Sequence, residues 1–129
     1  MKKVVKLLWI DDMEEWSGSA VRNLEIIAKK HDINLLVIHA KNGEEYSASW
    51  NIIQNYDFDC ILMDYKMEPY NGDKYIQEIR DEDHLFCIPI IFYSQDNSTN
   101  LDELVKDYDN VTTVFRGYLI DKIKEMFFD

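Results

Sequence analysis

The side chains best suited to chemistry in this sequence are three carboxylates, a hydroxyl and a guanidinium that each follow an apolar run. They are Asp11 and Asp12 after "VVKLLWI", Asp64 after "FDCILM", Ser94 after "CIPIIFY" and Arg116 after "VTTVF". Carboxylates that lie within a few ångströms raise one another's pKa and weaken a fold. A hard divalent cation such as Mg²⁺ removes this conflict, because it binds oxygen ligands.

Phosphoryl chemistry would use all five groups. A carboxylate beside Mg²⁺ can act as a nucleophile toward phosphorus and form an aspartyl phosphate. The metal then neutralises charge on the phosphoryl group during transfer. A hydroxyl and a cation can bind the remaining phosphoryl oxygens, and Ser94 and Arg116 fit those two roles.

The apolar runs that carry these residues alternate with helical patterns. Strands are predicted over 4–10, 34–40, 58–63, 87–93 and 111–115, and helices over 15–30, from Gly43 onward, and over 72–82, 99–107 and 118–128. This strict alternation predicts an α/β fold with a parallel sheet between helices. Ligands bind such sheets at the carboxyl ends of the strands, which is where the five candidate residues stand.

Composition and charge limit the class of protein. The 129 residues, 47% of them hydrophobic, predict one folded domain over 1–129 and exclude a disordered chain. The net charge of −11 disfavours direct binding of nucleic acid and favours cations and basic partner surfaces. Neither a signal peptide nor a membrane-spanning run is evident, so we expect a cytoplasmic protein without membrane contact.

Cysteine and histidine do not suggest a soft-metal site. Cys60 and Cys87 stand in apolar contexts and are predicted to be reduced, buried thiols. His31, His39 and His84 lie on separate elements without zinc-binding spacing, and we expect them at the surface.

On these residues the chain resembles a response-regulator receiver domain of the CheY-like type, the phosphoacceptor half of bacterial two-component signalling. The resemblance covers residues 4–128 and rests on the acidic pair Asp11-Asp12, Asp64 within "LMDYKM", Ser94 in the Thr/Ser position, and Met67 and Gly72 in the loop. It implies a doubly wound (βα)5 flavodoxin-like three-layer sandwich, with a five-stranded parallel sheet of order 2-1-3-4-5.

The resemblance also implies a role for each matched residue. Asp12, Asp64 and the backbone carbonyl of Lys66 would ligate Mg²⁺ (or Mn²⁺) directly, and Asp11 would act through a bound water. Asp64 would accept a phosphoryl group from the phosphohistidine of a sensor histidine kinase or a histidine phosphotransfer protein. Ser94 would then move toward the phosphate and switch the binding of a downstream protein target. Such a domain is no enzyme beyond its own phosphorylation and hydrolysis at Asp64.

Two departures from the family pattern concern the switch. Arg116 stands where the family has Lys, and arginine is bulkier and planar, with two donors for a phosphate. Thr113 occupies the switch position that an aromatic residue usually holds. Tyr93, Phe115 or Tyr118 would have to supply the aromatic ring.

Two further departures concern access to the pocket. The proline of the family's Met-Pro pair comes one place late, in Met67-Glu68-Pro69, which alters the expected loop path. Gln95 follows Ser94 where a small residue is common, and its longer side chain can narrow the route to the phosphate.

Other interpretations of the same residues stay open. Asp11-Asp12 can cap the first helix, Ser94 can cap a helix or form a turn, and Arg116 can be a structural counter-ion of the acids. The alternative function is a receiver-like protein-interaction module that phosphorylation does not control. A phosphatase with an aspartyl nucleophile is disfavoured, because Lys66 stands where such enzymes need a second acid.

Overall fold

A five-stranded parallel sheet forms the centre of the computed structural model, which describes residues 3–12, 14–40, 57–67, 70–81, 88–95 and 99–128. Its strands are β1 (Lys3–Ile10), β2 (Ile33–Ala40), β3 (Cys60–Asp64), β4 (Ile90–Ser94) and β5 (Val111–Phe115). They lie in the order β2-β1-β3-β4-β5, and every pair is parallel. The predicted doubly wound flavodoxin-like sheet is confirmed.

The described helices lie between these strands or after them. They are α1 (Glu14–Lys30), α2 (Gly72–Asp81), α3 (Leu101–Val105) and α4 (Leu119–Ile123). A 3-10 turn (Arg116–Tyr118) precedes α4, and a π-helical turn (Lys124–Phe128) continues it. The helix predicted from Gly43 onward lies outside the described residues. Within the part of the chain that is described, no helix combines the length and apolarity needed to cross a bilayer.

Observed and predicted bounds differ for the fourth strand, for α3 and for α4, whose α-helical part ends at Ile123, before the π-helical turn that runs to the predicted end at 128. The strand begins at Ile90, three residues later than predicted, and includes Ser94 as its last residue. The predicted helix over 99–107 is only five residues long, from Leu101 to Val105, with Asn100 as its N-cap. The Asn100 side chain accepts a hydrogen bond from the Glu103 amide at 3.3 Å, which fixes the helix start at Leu101.

Successive residues of a strand pack alternately in two separate apolar layers, one on each face of the sheet. Leu8 and Ile10 of β1 pack on the face that α2 and α3 cover, whereas Leu7 and Trp9 pack on the face that α1 and α4 cover. Every residue of β3 and β4 is buried, as expected for central parallel strands covered on both faces. The two layers and the sheet form the predicted three-layer sandwich.

Gly72 allows α2 to begin directly against the end of β3. Its amide donates a hydrogen bond to the Tyr65 carbonyl at 2.7 Å. A Cβ atom at Gly72 would stand 2.1 Å from the carbonyl oxygen of Asp64 and 2.9 Å from Cγ of Met63. Because the first of these atoms belongs to the backbone, a side chain at this position must displace the strand that carries Asp64.

Cys60 is a buried free thiol on β3, as predicted. Burial raises the pKa of this thiol to about 12, so it remains protonated and unreactive at neutral pH. Cys87 lies outside the described residues.

Substituting Gly72 with alanine tests this close contact. We expect Gly72→Ala to lower the free energy of unfolding by about 2 kcal/mol or more, because overpacking against backbone cannot relax cheaply. The matched control is Gly18→Ala in α1, where the added Cβ meets only the end of Arg22 at 3.7 Å. That control should gain about 0.5–1 kcal/mol from helix propensity. Chemical denaturation of both variants measures this, and equal stabilities would contradict the contact.

Candidate functional site

An acidic cluster lies where β1 and β3 end side by side. The two strands pair with Ile10 opposite Met63, so Asp11 and Asp64 come next at the same edge. One carboxylate oxygen from each of Asp11, Asp12 and Asp64 lies within 4.8 Å of the others, an arrangement that can hold a metal ion. Asp11 and Asp64 are buried, whereas Asp12 is exposed and leaves the cluster open to solvent.

The cluster is electrostatically strained in the absence of a cation. Burial, followed by the charges of Asp11 and Asp12, raises the pKa of Asp64 to about 8. The Arg116 charge acts in the opposite direction and lowers the pKa of Asp64, but it does not cancel the other effects. At neutral pH the carboxyl group of Asp64 therefore holds a proton unless a cation replaces it.

Strand pairing brings Ser94 and Arg116 to the same edge. Asp64 pairs with Tyr93 across β3 and β4, so the buried Ser94 follows one step beyond. Ser94 in turn pairs with Phe115 of β5, which places Arg116 directly after that strand. The predicted convergence of the strand ends is therefore observed.

Arg116 interacts with an aromatic ring as well as with the acids. Its guanidinium carbon lies 4.7 Å from the centroid of the Trp16 ring on α1, a cation–π geometry. Since its charge also lowers the pKa of Asp64, Arg116 is an electrostatic partner of the cluster in this structure. This position is compatible with both predicted roles, as a counter-ion and as a phosphate ligand.

The other predicted residues lie around this edge or on β5. Lys66 is exposed two residues beyond Asp64, and Gln95 is exposed directly after Ser94. Thr113 is half-buried in β5, and its hydroxyl donates a hydrogen bond to the carboxylate of Asp102 in α3. Glu68 and Pro69 lie outside the described residues.

Sequence reasoning missed the contact that Tyr93 makes with the acidic cluster. The Tyr93 hydroxyl donates a hydrogen bond to Oδ2 of Asp11, and Trp9 Nε1 donates to the Tyr93 hydroxyl oxygen at 2.7 Å. Both aromatic side chains are fully buried. Strand alternation offered a signal, because Trp9 and Asp11 are two residues apart and so point to the same face.

His39 also supports the cluster, so its predicted surface position is wrong. His39 is half-buried on β2 opposite Trp9, and its Nε2 lies 3.1 Å from the carbonyl oxygen of Asp11 and 3.3 Å from Oγ of Ser17. The prediction failed because the end of β2 lies beside the end of β1. His31 is exposed as predicted, and His84 lies outside the described residues.

The raised pKa of Asp64 predicts how stability depends on pH. Between about pH 4 and 8 the folded state keeps a proton that the unfolded state has released, so the free energy of unfolding falls as pH rises through this window. Asp64→Asn removes this dependence. In metal-free buffer, the free energy of unfolding of Asp64→Asn minus that of the wild type should increase by more than about 1 kcal/mol from about pH 5 to about pH 8.

Urea denaturation at several pH values measures this difference in the free energy of unfolding. The control is Asp57→Asn, which removes an exposed carboxylate preceding β3. Its stability should follow the wild-type curve. A constant difference between Asp64→Asn and the wild type would contradict the raised pKa.

Comparisons with known proteins agree with this geometry. The sequence matches the family described as the response regulator receiver domain over residues 8–126. A search of curated proteins finds no match to the chain.

Three solved structures that share this fold are response regulators or their receiver domains. The signal receiver domain of a DNA-binding response regulator from Colwellia psychrerythraea has a TM-score of 0.72 at 14% identity, with 95% of this chain and 97% of that one covered. The Mn²⁺-bound form of Rcp1 has a TM-score of 0.71 at 15% identity, with 97% of this chain and 95% of that one covered. CheY4 of Vibrio cholerae has a TM-score of 0.69 at 19% identity, with 95% of this chain and 98% of that one covered. Because the family match over residues 8–126 spans most of this chain, the chain belongs to the response regulator receiver domain family.

Proposed function

We propose that the chain is a phosphoacceptor receiver domain, in which Mg²⁺-dependent transfer of a phosphoryl group from phosphohistidine to Asp64 switches the binding of a partner protein. The observation that carries this proposal is the acidic cluster, with carboxylate oxygens of Asp11, Asp12 and Asp64 within 4.8 Å at the ends of adjacent strands. In a member of the receiver family, a cluster at this edge fits a phosphoacceptor site.

The chemistry of the donors fits a hard divalent cation. Asp12, Asp64 and the carbonyl of Lys66 would bind Mg²⁺ or Mn²⁺ directly, and Asp11 would bind it through a water. Carboxylate and carbonyl oxygens are the ligands these ions prefer, and Rcp1 shares this fold and has an Mn²⁺-bound form. When bound, the cation supplies positive charge that stabilises a phosphoryl group during transfer.

The residues of the chain divide the transfer among themselves. An Asp64 oxygen attacks phosphorus, the phosphorus–nitrogen bond of the donor breaks, and the histidine nitrogen keeps the electron pair. This attack needs the ionised carboxylate, and with a pKa of about 8 that form is scarce in the metal-free protein near pH 7. Arg116 would then donate two hydrogen bonds to the phosphoryl oxygens, and Ser94 would donate one.

The proposed signal leaves through protein contacts. The phosphoryl donor would be a sensor histidine kinase or a histidine phosphotransfer protein, and the reaction would take place in the cytoplasm. The net charge of −11 favours partners with basic surfaces over nucleic acid. In this proposal residues 1–129 form one domain, and its only catalysis is its own phosphorylation and hydrolysis at Asp64.

The contact of Thr113 favours a second candidate function. Its hydroxyl donates a hydrogen bond to Asp102 of α3. The family usually has an aromatic ring at the position of Thr113, and that ring moves on activation. A receiver-like module that binds its partner without control by phosphorylation would need no such movement. Both candidates share the fold and the acidic cluster, and they differ in whether β5 and α3 respond to the phosphoryl group.

Phosphorylation by a small donor tests the first candidate. Incubation with Mg²⁺ and acetyl phosphate should add the mass of one phosphoryl group, because the bound cation ionises Asp64 and orients the donor. Asp64→Asn should gain none, and Asp57→Asn should react like the wild type. Intact-mass spectrometry over an extended time course measures the product. Unmodified wild-type protein after prolonged incubation would contradict the proposal.

A phosphoryl mimic separates the two candidates. We expect Mg²⁺ with beryllofluoride to shift the amide NMR signals of Asp102 and Thr113, because a switched receiver rearranges β5 and α3. The control is Asp64→Asn under the same conditions, whose signals should not move. Wild-type shifts confined to the immediate neighbours of Asp64 would favour the module that phosphorylation does not control.

A further inference from the structure

A buried chain of two hydrogen bonds ends on the acidic cluster. Trp9 Nε1 donates to the hydroxyl oxygen of Tyr93, and the Tyr93 hydroxyl donates to Oδ2 of Asp11. The direction of both bonds is fixed, because an indole nitrogen can only donate and a carboxylate can only accept. Trp9 and Tyr93 are fully buried and Asp11 is 1% exposed, so water does not compete for these groups.

Tyr93 makes this contact across an intervening strand. It lies on β4, whereas Asp11 follows β1, and β3 runs between them in the sheet. The separation is two inter-strand spacings, each about 4.8 Å. Tyr93 pairs with Asp64 on β3, so its side chain crosses the sheet face beside the proposed phosphoacceptor. A shorter side chain at this position would not reach Asp11.

The aromatic rings around Tyr93 hold it in place. Trp16 of α1 lies 5.8 Å from the Trp9 ring with an edge-on angle of 74°, and 5.9 Å from the Tyr93 ring. The same Trp16 ring carries the Arg116 guanidinium at 4.7 Å. Edge-on and tilted ring pairs at these distances are favourable, so the rings of Trp9 and Trp16 fix the direction of the Tyr93 hydroxyl.

We propose that Tyr93 is a positioning residue for the cation site, and that Trp9 fixes it in that role. Its hydroxyl donates a hydrogen bond to Oδ2 of Asp11, and this bond sets the rotamer of the Asp11 side chain. The inference rests on the proposed function only in requiring that the acidic cluster bind Mg²⁺. Partners that orient a metal ligand in this way commonly contribute about 10- to 100-fold to metal affinity.

A double-mutant cycle on Mg²⁺ affinity tests this role. Calorimetric titration of Tyr93→Phe with Mg²⁺ should give a dissociation constant about tenfold higher than the wild type. If Tyr93 acts through Asp11, the same substitution should have no further effect in an Asp11→Ala background, which has no side-chain acceptor for the Tyr93 hydroxyl. The matched control is Tyr108→Phe, a half-buried tyrosine packed against the opposite apolar layer, which should leave the constant unchanged.

Two outcomes of the cycle overturn the inference. One is a wild-type dissociation constant in Tyr93→Phe. The other is an equal loss of affinity in the wild-type and Asp11→Ala backgrounds, which would mean that Tyr93 acts only through the stability of the fold. Wild-type protein that binds Mg²⁺ but accepts no phosphoryl group contradicts the proposed function alone. Wild-type protein that binds no Mg²⁺ contradicts both.

A measurement on the unaltered protein decides the question if Tyr93→Phe does not fold. The indole N–H of Trp9 should shift in nitrogen-15 NMR spectra during an Mg²⁺ titration, with the midpoint found by calorimetry, because Asp11 is linked to it through Tyr93. Loss of the signal in Trp9→Phe assigns it. A Trp9 signal that stays in place while the protein saturates with Mg²⁺ overturns the inference.

Discussion

Repulsion among Asp11, Asp12 and Asp64 is the constraint on which this site depends. The three carboxylates lie within reach of one ion, and two of them are buried. Burial and the two neighbouring charges raise the pKa of Asp64 to about 8, so the metal-free site keeps its proposed nucleophile protonated at neutral pH. The same repulsion favours the binding of a divalent cation, because the cation reduces the repulsion among the carboxylates and at the same time ionises Asp64.

The fold creates this conflict and also holds it in place. The order β2-β1-β3-β4-β5 sets the ends of β1 and β3 side by side, with β4 and β5 bringing Ser94 and Arg116 to the same edge. Gly72 lets α2 begin against Asp64, while Tyr93 and His39 hold Asp11 from two other strands. Arg116 balances part of the negative charge and rests on Trp16.

Much of this could be predicted from the sequence, because its signals are local. Apolar runs alternating with helical patterns indicate the strands, and parallel strands must bring Asp11, Asp64 and Ser94 to one edge. The contact between Tyr93 and Asp11 could not be predicted, because it depends on side-chain reach across β3. The position of His39 could not be predicted for a similar reason, since one of its partners, Asp11, follows β1 and the other, Ser17, lies on α1.

Proton release during Mg²⁺ binding tests the central claim most directly. If cation binding displaces the proton that burial and repulsion hold on Asp64, calorimetric titrations at pH 7 in buffers of different ionisation enthalpy should report about one proton released per Mg²⁺. Asp64→Asn should release close to none. Mg²⁺ binding by the wild type without proton release would contradict the claim, because Asp64 would already be ionised in the metal-free protein.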